Sequence, residues 1–326
     1  PSPEPAEPMR ELSFELNGQN ARVAYEEGMN LLDVLRDQCG VTSPKDGCAP
    51  QGACGCCTVM VDGRAVLSCL RKPESVEGKA LTTLEGISEA KRRVLAEAFV
   101  REGGLQCGYC TPGIAARVAS LLDRTPAVSE EQVRKAFSGH LCRCTGYQRI
   151  VDAVLTAAEA WQDGVLPGSG GPRRANLFGA SGGSGPEASG RPDGVGGNGL
   201  RYRGGEQTLG DKPYVADMAF PHMLHGAVVL SRHPRARVLE IDVSAALEVP
   251  GVERVLTAAD VPGERHVGLI RSDWPVFVAE GETTRCVGDV LALVVADTRF
   301  GAKQAAEVLE ERVRYEVLTP VTDPVE

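Results

Sequence analysis

Hydrophobic and polar residues alternate in short runs near the beginning of the chain. Residues 13–16 and 21–25 alternate with a period of two, which is typical of β-strands, and Asn17-Gly18 between them favours a hairpin turn. Residues 58–67 repeat the strand–turn–strand pattern. Between the two hairpins, the apolar positions of residues 31–35 fit one face of a helix. The first part of the chain is therefore predicted to pair a small sheet with one helix.

The hydrophobic period lengthens after residue 85, and this change predicts helices. Ser129 and Gln132 have the spacing of a capping box, in which each side chain bonds to the backbone N–H of the other residue. This capping box would open the third of four helices, which we expect to pack as a four-helix bundle. The apolar stripes of the other three helices are Val94, Leu95, Ala98 and Phe99; Ile114, Val118 and Leu121; and Val151, Val154 and Leu155.

Glycine is concentrated in residues 164–210, together with serine and proline. A segment of this composition buries too little apolar surface to offset the entropy that ordering costs, so we expect a linker. Strand-like runs return beyond it and are followed by a helical pattern over residues 302–309, which predicts an α+β domain. The chain is thus expected to be an α+β multidomain protein with four parts, namely residues 1–84, 85–163, 164–210 and 211–326.

Charge and composition exclude several classes of partner. The formal net charge of −9 makes nucleic acid an unfavourable partner. No apolar run approaches the roughly 20 residues that span a bilayer, so no membrane partner is expected. The first residues lack the basic and apolar regions of a signal peptide, which predicts a cytoplasmic protein. In that compartment the 11 cysteines are expected to bind metal rather than form disulfides.

Ten of the 11 cysteines precede residue 145, and eight of them form two groups. The first group follows the order of the iron–sulfur ligands in plant-type ferredoxins, whose β-grasp fold the first part of the chain resembles. The first gap is C-x5-C, one residue longer than usual, and Cys56 is an extra thiol that is an alternative to Cys57 as a ligand. The predicted ligands of this group are Cys48, Cys54, Cys57 and Cys69.

The second group consists of two pairs, Cys107 with Cys110 and Cys142 with Cys144. Each pair lies where a helix is expected to begin, because Pro112 favours a first helical turn and Thr145 is a candidate N-cap. Helix starts offer free N–H groups and the positive end of a dipole, which stabilise anionic thiolates. We interpret the group as a four-cysteine iron–sulfur site. A zinc site is the alternative, since C-x2-C is also a zinc-binding spacing.

Two longer motifs resemble the xanthine dehydrogenase and aldehyde oxidoreductase family of molybdenum hydroxylases. They are Gln106-Cys-Gly-Tyr-Cys-Thr-Pro-Gly113 and Gly139-His-Leu-Cys-Arg-Cys-Thr-Gly-Tyr147. The resemblance implies two [2Fe-2S] clusters, with Gln106 and Cys144 contacting a molybdopterin beside the second. Residues 211–326 look like the a/b hammerhead domain of the molybdenum subunit, on Tyr214-Val-Ala-Asp217 and later short motifs.

The resemblance also implies a function for the whole chain. It would be an iron–sulfur electron-transfer subunit that passes electrons singly from molybdopterin to an acceptor such as FAD or NAD. We expect the molybdenum active site on a large partner subunit, FAD on a possible further subunit, and no catalytic residue in this chain. The reaction would hydroxylate xanthine, another N-heterocycle or an aldehyde. A free-standing electron carrier and an assembly subunit with degenerate clusters are the alternatives.

Overall fold

The structure is a computed structural model that describes residues 9–166 and 201–323. The chain divides into two compact units. One unit spans Glu7–Met218 and the other contains Ala219–Glu326. Each unit has its own hydrophobic core, and both cysteine groups lie in the first.

The first unit begins with a five-stranded sheet whose strand order is β2-β1-β5-β3-β4. Strands β1 and β5 run parallel, and every other neighbouring pair is antiparallel. Both predicted hairpins, β1–β2 and β3–β4, are present. The strands are β1 (Arg10–Leu16), β2 (Gln19–Tyr25), β3 (Thr58–Val61), β4 (Arg64–Leu67) and β5 (Ala80–Thr82).

A short helix crosses between the two hairpins. It starts as α1 (Leu31–Asp33), capped by Asn30, and continues as a wider π-helical turn over Val34–Gln38. The predicted apolar positions of this segment are all fully buried. The wide turn leads directly into the loop that carries the first cysteine group.

Four helices follow the sheet, and their apolar stripes form the main core of the unit. The predicted capping box of α4 is present, with Ser129 Oγ accepting from Gln132 N–H. The prediction for Thr145 was wrong, because α5 begins three residues later, after Tyr147 in a left-handed conformation. The helices are α2 (Glu89–Glu102), α3 (Thr111–Arg124), α4 (Glu130–Ala136) and α5 (Gln148–Ala160).

The predicted linker is only partly described. Residues 167–200 lie outside the described ranges, and the end of the predicted linker forms helix α6 (Gly204–Leu209), which we had not expected. Gly204 and Thr208 are buried in this helix, and Leu209 packs against the main core. Glycine in this segment permits close approach to neighbouring backbone, and that contact with the folded unit supplies the order that composition alone did not predict.

The second unit contains a three-stranded antiparallel sheet of order β6-β11-β8 and a separate antiparallel pair, β7 with β12. Helix α8 (Arg299–Glu311) buries Ala302, Ala305 and Leu309. The remaining elements are β6 (His225–Leu230), β7 (Ala236–Ile241), α7 (Ser244–Leu247), β8 (Val252–Leu256), β9 (His266–Val267), β10 (Trp274–Pro275), β11 (Val290–Ala296) and β12 (Val313–Val317). Across the described parts of both units, no helix has the length and apolar character that crossing a membrane requires.

We expect Ser129→Ala to lower the free energy of unfolding by about 1 kcal/mol, because it removes the hydroxyl that caps α4. Ser88→Ala is the matched control, since Ser88 precedes α2 but its side chain makes no capping hydrogen bond. Urea titration followed by circular dichroism measures both variants. Equal losses in the two variants would contradict a capping role for Ser129.

Candidate iron–sulfur sites

The first cysteine group lies on the loop that precedes β3 and on the turn that follows β4. Cys48, Cys54 and Cys57 occupy the loop, and Cys69 lies in the single helical turn Ser68–Leu70. All except Cys48 are buried. The β3–β4 hairpin therefore brings a sequence-distant thiol to the loop.

Cys56 and Cys57 face different neighbours. The Cys57 side chain contacts the thiol of Cys69, with which it packs beside Leu32. The Cys56 thiol lies near Cys54 and Cys110 instead, and its Sγ is 3.8 Å from the Cys54 carbonyl oxygen. Cys57, and not Cys56, is thus placed beside the fourth cysteine of the group.

Backbone N–H groups point at Cys48. Burial alone would raise the pKa of its thiol, but the N–H groups of Gln51, Ala53 and Cys54 outweigh it and lower the pKa to about 7. The Gln51 nitrogen is 3.3 Å from Cys48 Sγ. The loop bends through Gly52 and Gly55, whose φ angles of 69° and 72° favour glycine. The loop geometry therefore stabilises a thiolate at its open end.

For the more deeply buried thiols of the first group, the pKa is raised rather than lowered. Burial and the neighbouring Cys57 raise the pKa of Cys69 to about 12. Burial raises the pKa of Cys54 as well, and a second thiol beside it adds to the effect. Thiolates crowded together in this way repel one another unless positive charge lies between them. A bound iron cluster supplies that charge, so the donor set fits the predicted group.

The second cysteine group lies between the starts of α3 and α5. Cys110 is the N-cap residue of α3, and Pro112 lies in its first turn, as predicted. Cys107 Sγ is 3.6 Å from Cys144 Sγ. Burial would raise the pKa of Cys142, but the Thr145 hydroxyl, 3.1 Å from its Sγ, and two backbone N–H groups lower it. Thr145 thus contacts the thiol rather than capping the helix.

The eight predicted ligands contact one another in pairs, and Cys54 also contacts the additional thiol of Cys56. Among residues 9–166 and 201–323, no three Cys, His, Asp or Glu side chains converge closely enough to hold a single metal ion. A [2Fe-2S] cluster takes two thiolates at each of two irons. The paired arrangement of the eight predicted ligands therefore fits such a cluster. The pairs in contact are Cys48 with Cys54, Cys57 with Cys69, Cys107 with Cys144, and Cys110 with Cys142.

The loops of the two groups touch each other. The N–H of Leu141, next to Cys142, donates to the carbonyl oxygen of Cys54 at 2.9 Å. The buried ring of His140 lies 3.1 Å from the Thr58 hydroxyl through Nε2. A Cβ added to Gly113 in α3 would overlap the carbonyl oxygen of Gly55. The two sites are therefore joined by direct backbone contact.

One edge of the second group is open at the surface. Gln106, Cys107 and Cys144 are all exposed, and Gln106 Nε2 donates to the Cys144 carbonyl oxygen at 3.0 Å. The structure thus brings together the two residues that the sequence motif associated with the pterin. Their shared edge is accessible to another molecule or domain.

Two residues beside the second group were not predicted as part of it. The Tyr214 hydroxyl donates to the Cys107 carbonyl oxygen at 2.6 Å, and Gln207 Nε2 donates to the same oxygen at 3.1 Å. Tyr214 had been assigned from its motif to the hammerhead domain, and Gln207 to the linker. Neither residue has a spacing in the sequence that relates it to Cys107.

Three family models match the chain. A 2Fe-2S iron-sulfur cluster binding domain matches residues 14–86, and a [2Fe-2S] binding domain matches residues 83–155. The a/b hammerhead domain of aldehyde oxidase and xanthine dehydrogenase matches residues 209–319. Both cysteine groups thus lie in regions that match iron–sulfur domains.

Individual relatives match either most of the chain or a little less than half of it. The aldehyde oxidoreductase of Megalodesulfovibrio gigas is 36% identical over 306 residues, which cover 90% of this chain but only 32% of the relative. The small FeS subunit of nicotinate dehydrogenase from Eubacterium barkeri is 41% identical over 149 residues, covering 45% of this chain and 94% of the subunit. This chain therefore spans about a third of the aldehyde oxidoreductase and nearly all of the small subunit.

A solved structure shows the same architecture. The aldehyde oxidoreductase from Desulfovibrio gigas superposes with a TM-score of 0.75 at 32% identity. The match covers 95% of this chain and 34% of that protein. The combination of iron–sulfur domains and a hammerhead domain is thus shared with a known structure.

We expect Gly113→Ala to damage the contact between the two cysteine loops. Alanine is normally favourable inside a helix by about 1 kcal/mol, but here its Cβ would meet the Gly55 carbonyl and the Cys56 backbone. Overpacking of this kind costs about 1–3 kcal/mol, so the variant should unfold earlier and retain less iron. Gly139→Ala is the control, because a Cβ there has no neighbour within 4 Å. If both variants have the same unfolding temperature as the unmodified protein, the contact has no structural importance.

Cys57→Ala and Cys56→Ala test which thiol belongs to the first group. We expect Cys57→Ala to lose the visible absorbance and the paramagnetic signal of one site, because Cys57 pairs with Cys69. Cys56→Ala should retain both signals. Electron paramagnetic resonance of the reduced proteins distinguishes the variants, and the reverse result would assign the ligand to Cys56.

Proposed function

This chain belongs to the xanthine dehydrogenase and aldehyde oxidoreductase family of molybdenum hydroxylases, and we propose that it is the electron-transfer part of such an enzyme. In this proposal its two cysteine groups hold [2Fe-2S] clusters. The first cluster is bound by Cys48, Cys54, Cys57 and Cys69, and the second by Cys107, Cys110, Cys142 and Cys144.

The observation that carries the proposal is the paired placement of the thiols on two loops that touch. Two thiols for each of two irons is the ligand set that a [2Fe-2S] cluster requires. When bound, such clusters accept and release one electron at a time. The hydrogen bond from Leu141 N–H to the Cys54 carbonyl keeps the two loops in contact. Residues of this chain would therefore hold the two proposed centres close together.

Hydrogen-bond donors around two of the thiols stabilise the anionic thiolate form. Backbone N–H groups stabilise the thiolate of Cys48, and the Thr145 hydroxyl and nearby N–H groups stabilise that of Cys142. Donors of this kind favour the anionic form and influence the reduction potential of a bound cluster. Three thiols of the first group, Cys54, Cys57 and Cys69, are buried, whereas Cys107 and Cys144 of the second group are exposed. Because the two sites differ in exposure to solvent, we expect different reduction potentials.

The exposed edge of the second site is where we propose contact with molybdopterin. Gln106 and Cys144 are hydrogen-bonded to each other and exposed, so both are accessible to a cofactor held outside this unit. The first site would then lie further along the path, toward an acceptor such as FAD or NAD. No residue of this chain is proposed to act on the substrate.

The molybdenum centre has two possible locations. A large partner subunit that binds molybdenum is favoured by the relatives whose names describe them as separate iron–sulfur subunits, and FAD would lie on a further subunit. The aldehyde oxidoreductase match covers both units of this chain in one polypeptide, which favours a molybdenum domain on the same polypeptide. The proposed electron path through residues 9–166 is the same in both arrangements.

The proposed substrates are aldehydes or N-heterocycles. Relatives over the iron–sulfur half are named for nicotinate and xanthine, whereas the relative that aligns with 90% of this chain is named for aldehydes. The broader alignment favours an aldehyde. The competing function, a free-standing electron carrier, is disfavoured because residues 209–319 match the hammerhead domain of molybdenum enzymes.

The purified protein should contain about four iron atoms and four acid-labile sulfides per chain. Electron paramagnetic resonance after dithionite reduction should show two distinct [2Fe-2S] signals, because the surroundings of the two sites differ. The double variant Cys107→Ala and Cys144→Ala should lose one signal and keep the other. A single signal, or zinc in place of iron, would contradict the proposal. Molybdenum that co-purifies with the protein separates the enzyme from a free carrier.

A further inference from the structure

We propose that residues 201–218 are a docking segment that binds the iron–sulfur body, residues 9–166, through non-covalent contacts alone. Binding would depend on the carboxylate of Asp217. In a relative whose iron–sulfur part is a separate small subunit, the same surface would accept the equivalent segment of the large subunit. The partner is thus a peptide segment with a short helix followed by a tyrosine and an aspartate.

The boundary of the compact unit separates this segment from the domain that its sequence matches. The hammerhead family model begins at residue 209, yet the first compact unit extends to Met218. Residues 209–218 therefore belong to the hammerhead by sequence and to the iron–sulfur unit by contact. This arrangement is expected of a docking element, which belongs to one domain by sequence and packs against another.

Helix α6 supplies the apolar part of the contact. A Cβ added to Gly204 would lie 2.8 Å from Val100 Cγ2 of α2, so the two helices are in close contact at this glycine. Gln207 and Thr208 are buried, and Leu209 packs against the core of the four helices. A Cβ on Gly210 would lie 2.9 Å from Ser43. The segment thus fits tightly along the surface of the body.

Asp217 supplies the charged part of the contact. Its carboxylate lies 2.6 Å from Lys45 Nζ and 2.8 Å from an Arg36 guanidinium nitrogen. The three side chains are only 2%, 1% and 7% exposed, respectively. Arg36 also donates to the Ala216 carbonyl oxygen at 3.0 Å. The segment thus provides the carboxylate that pairs with two cations of the body, and all three side chains are buried when the segment is docked.

Tyr214 connects the docked segment to the second cysteine group. Its hydroxyl bonds to the Cys107 carbonyl, its ring packs edge-to-face on Tyr109 with centroids 5.1 Å apart, and Lys45 Nζ lies 5.2 Å from its centroid. Gln207 bonds to the same carbonyl. Docking thus fixes the backbone carbonyl of Cys107 and attaches residues 201–218 to the iron–sulfur body.

A cleavable chain tests the proposal. A protease site is inserted within residues 167–200, and the purified, cluster-loaded protein is cut and passed over a size-exclusion column. The fragments should elute together. After the Asp217→Asn substitution they should bind at least about 100-fold more weakly, because Lys45 and Arg36 would be buried without the carboxylate that pairs directly with both. Fragments of the unmodified sequence that separate on cutting would overturn the proposal, as would Asp217→Asn fragments that remain together equally well.

Asp211→Asn is the matched control. Asp211 lies in the same segment and pairs with Arg92 at 2.9 Å, but this pair is partly exposed, at 41% for the aspartate. Exposed ion pairs contribute little, so binding should weaken by less than about fivefold. Loss of binding equal to that of Asp217→Asn would show a general charge effect and overturn the specific role of Asp217.

A peptide competition keeps the test independent of folding in the Asp217→Asn chain. A synthetic peptide of residues 201–218 is added in excess to the cut protein of unmodified sequence. It should displace the second fragment, whereas the same peptide with asparagine at position 217 should not. Equal behaviour of the two peptides would overturn the proposal. Association is the readout, so failure of this inference is distinguishable from failure of the proposed electron-transfer function.

Discussion

Thiolates that are held a few ångströms apart repel one another, and this repulsion is the constraint on which the first unit depends. The chain meets it in two ways. Backbone N–H groups point at Cys48 and Cys142, and helix α3 begins at Cys110, so partial positive charge faces the sulfurs. For the more deeply buried Cys69, burial and the neighbouring Cys57 thiol raise the pKa instead, and the proposed iron centre between these thiols would offset their repulsion. Loop, hairpin and helix start thus all place cysteine thiols close together, some where donors lower the pKa and others where burial raises it.

The sequence predicted those features that depend on local chemistry. Hairpins at Asn17-Gly18 and at residues 58–67, the capping box of Ser129 and the grouping of the cysteines follow from turn residues, periodicity and spacing. Thr145 was predicted wrongly as a helix cap, because spacing does not show that its hydroxyl contacts the Cys142 thiol instead. Local patterns also did not reveal the roles of residues far from the cysteines in sequence, such as Gln207 and Tyr214, which bond to the Cys107 carbonyl.

The segment around α6 illustrates why tertiary contact escapes sequence reasoning. Its glycines suggested a linker, but Gly204 and Gly210 lie where a side chain would collide with the folded body. Asp217 is one acidic residue among many in the sequence, and only the fold places it between Lys45 and Arg36. The same composition that indicates a connector therefore also suits a segment that must lie flush against another surface. Distinguishing the two requires the partner surface, which no local pattern encodes.

The contrast between the two cysteine groups has a consequence for how the protein matures. Cys54, Cys57 and Cys69 are enclosed by the sheet and its loops, whereas Cys107 and Cys144 remain open at the surface. If the two groups hold the proposed clusters, iron and sulfide would have to reach the enclosed group before the loop closes over it during folding. The exposed pair of the second group, Cys107 and Cys144, would still be accessible after the chain has folded. Assembly of the two sites would then be ordered in time, from the interior outward.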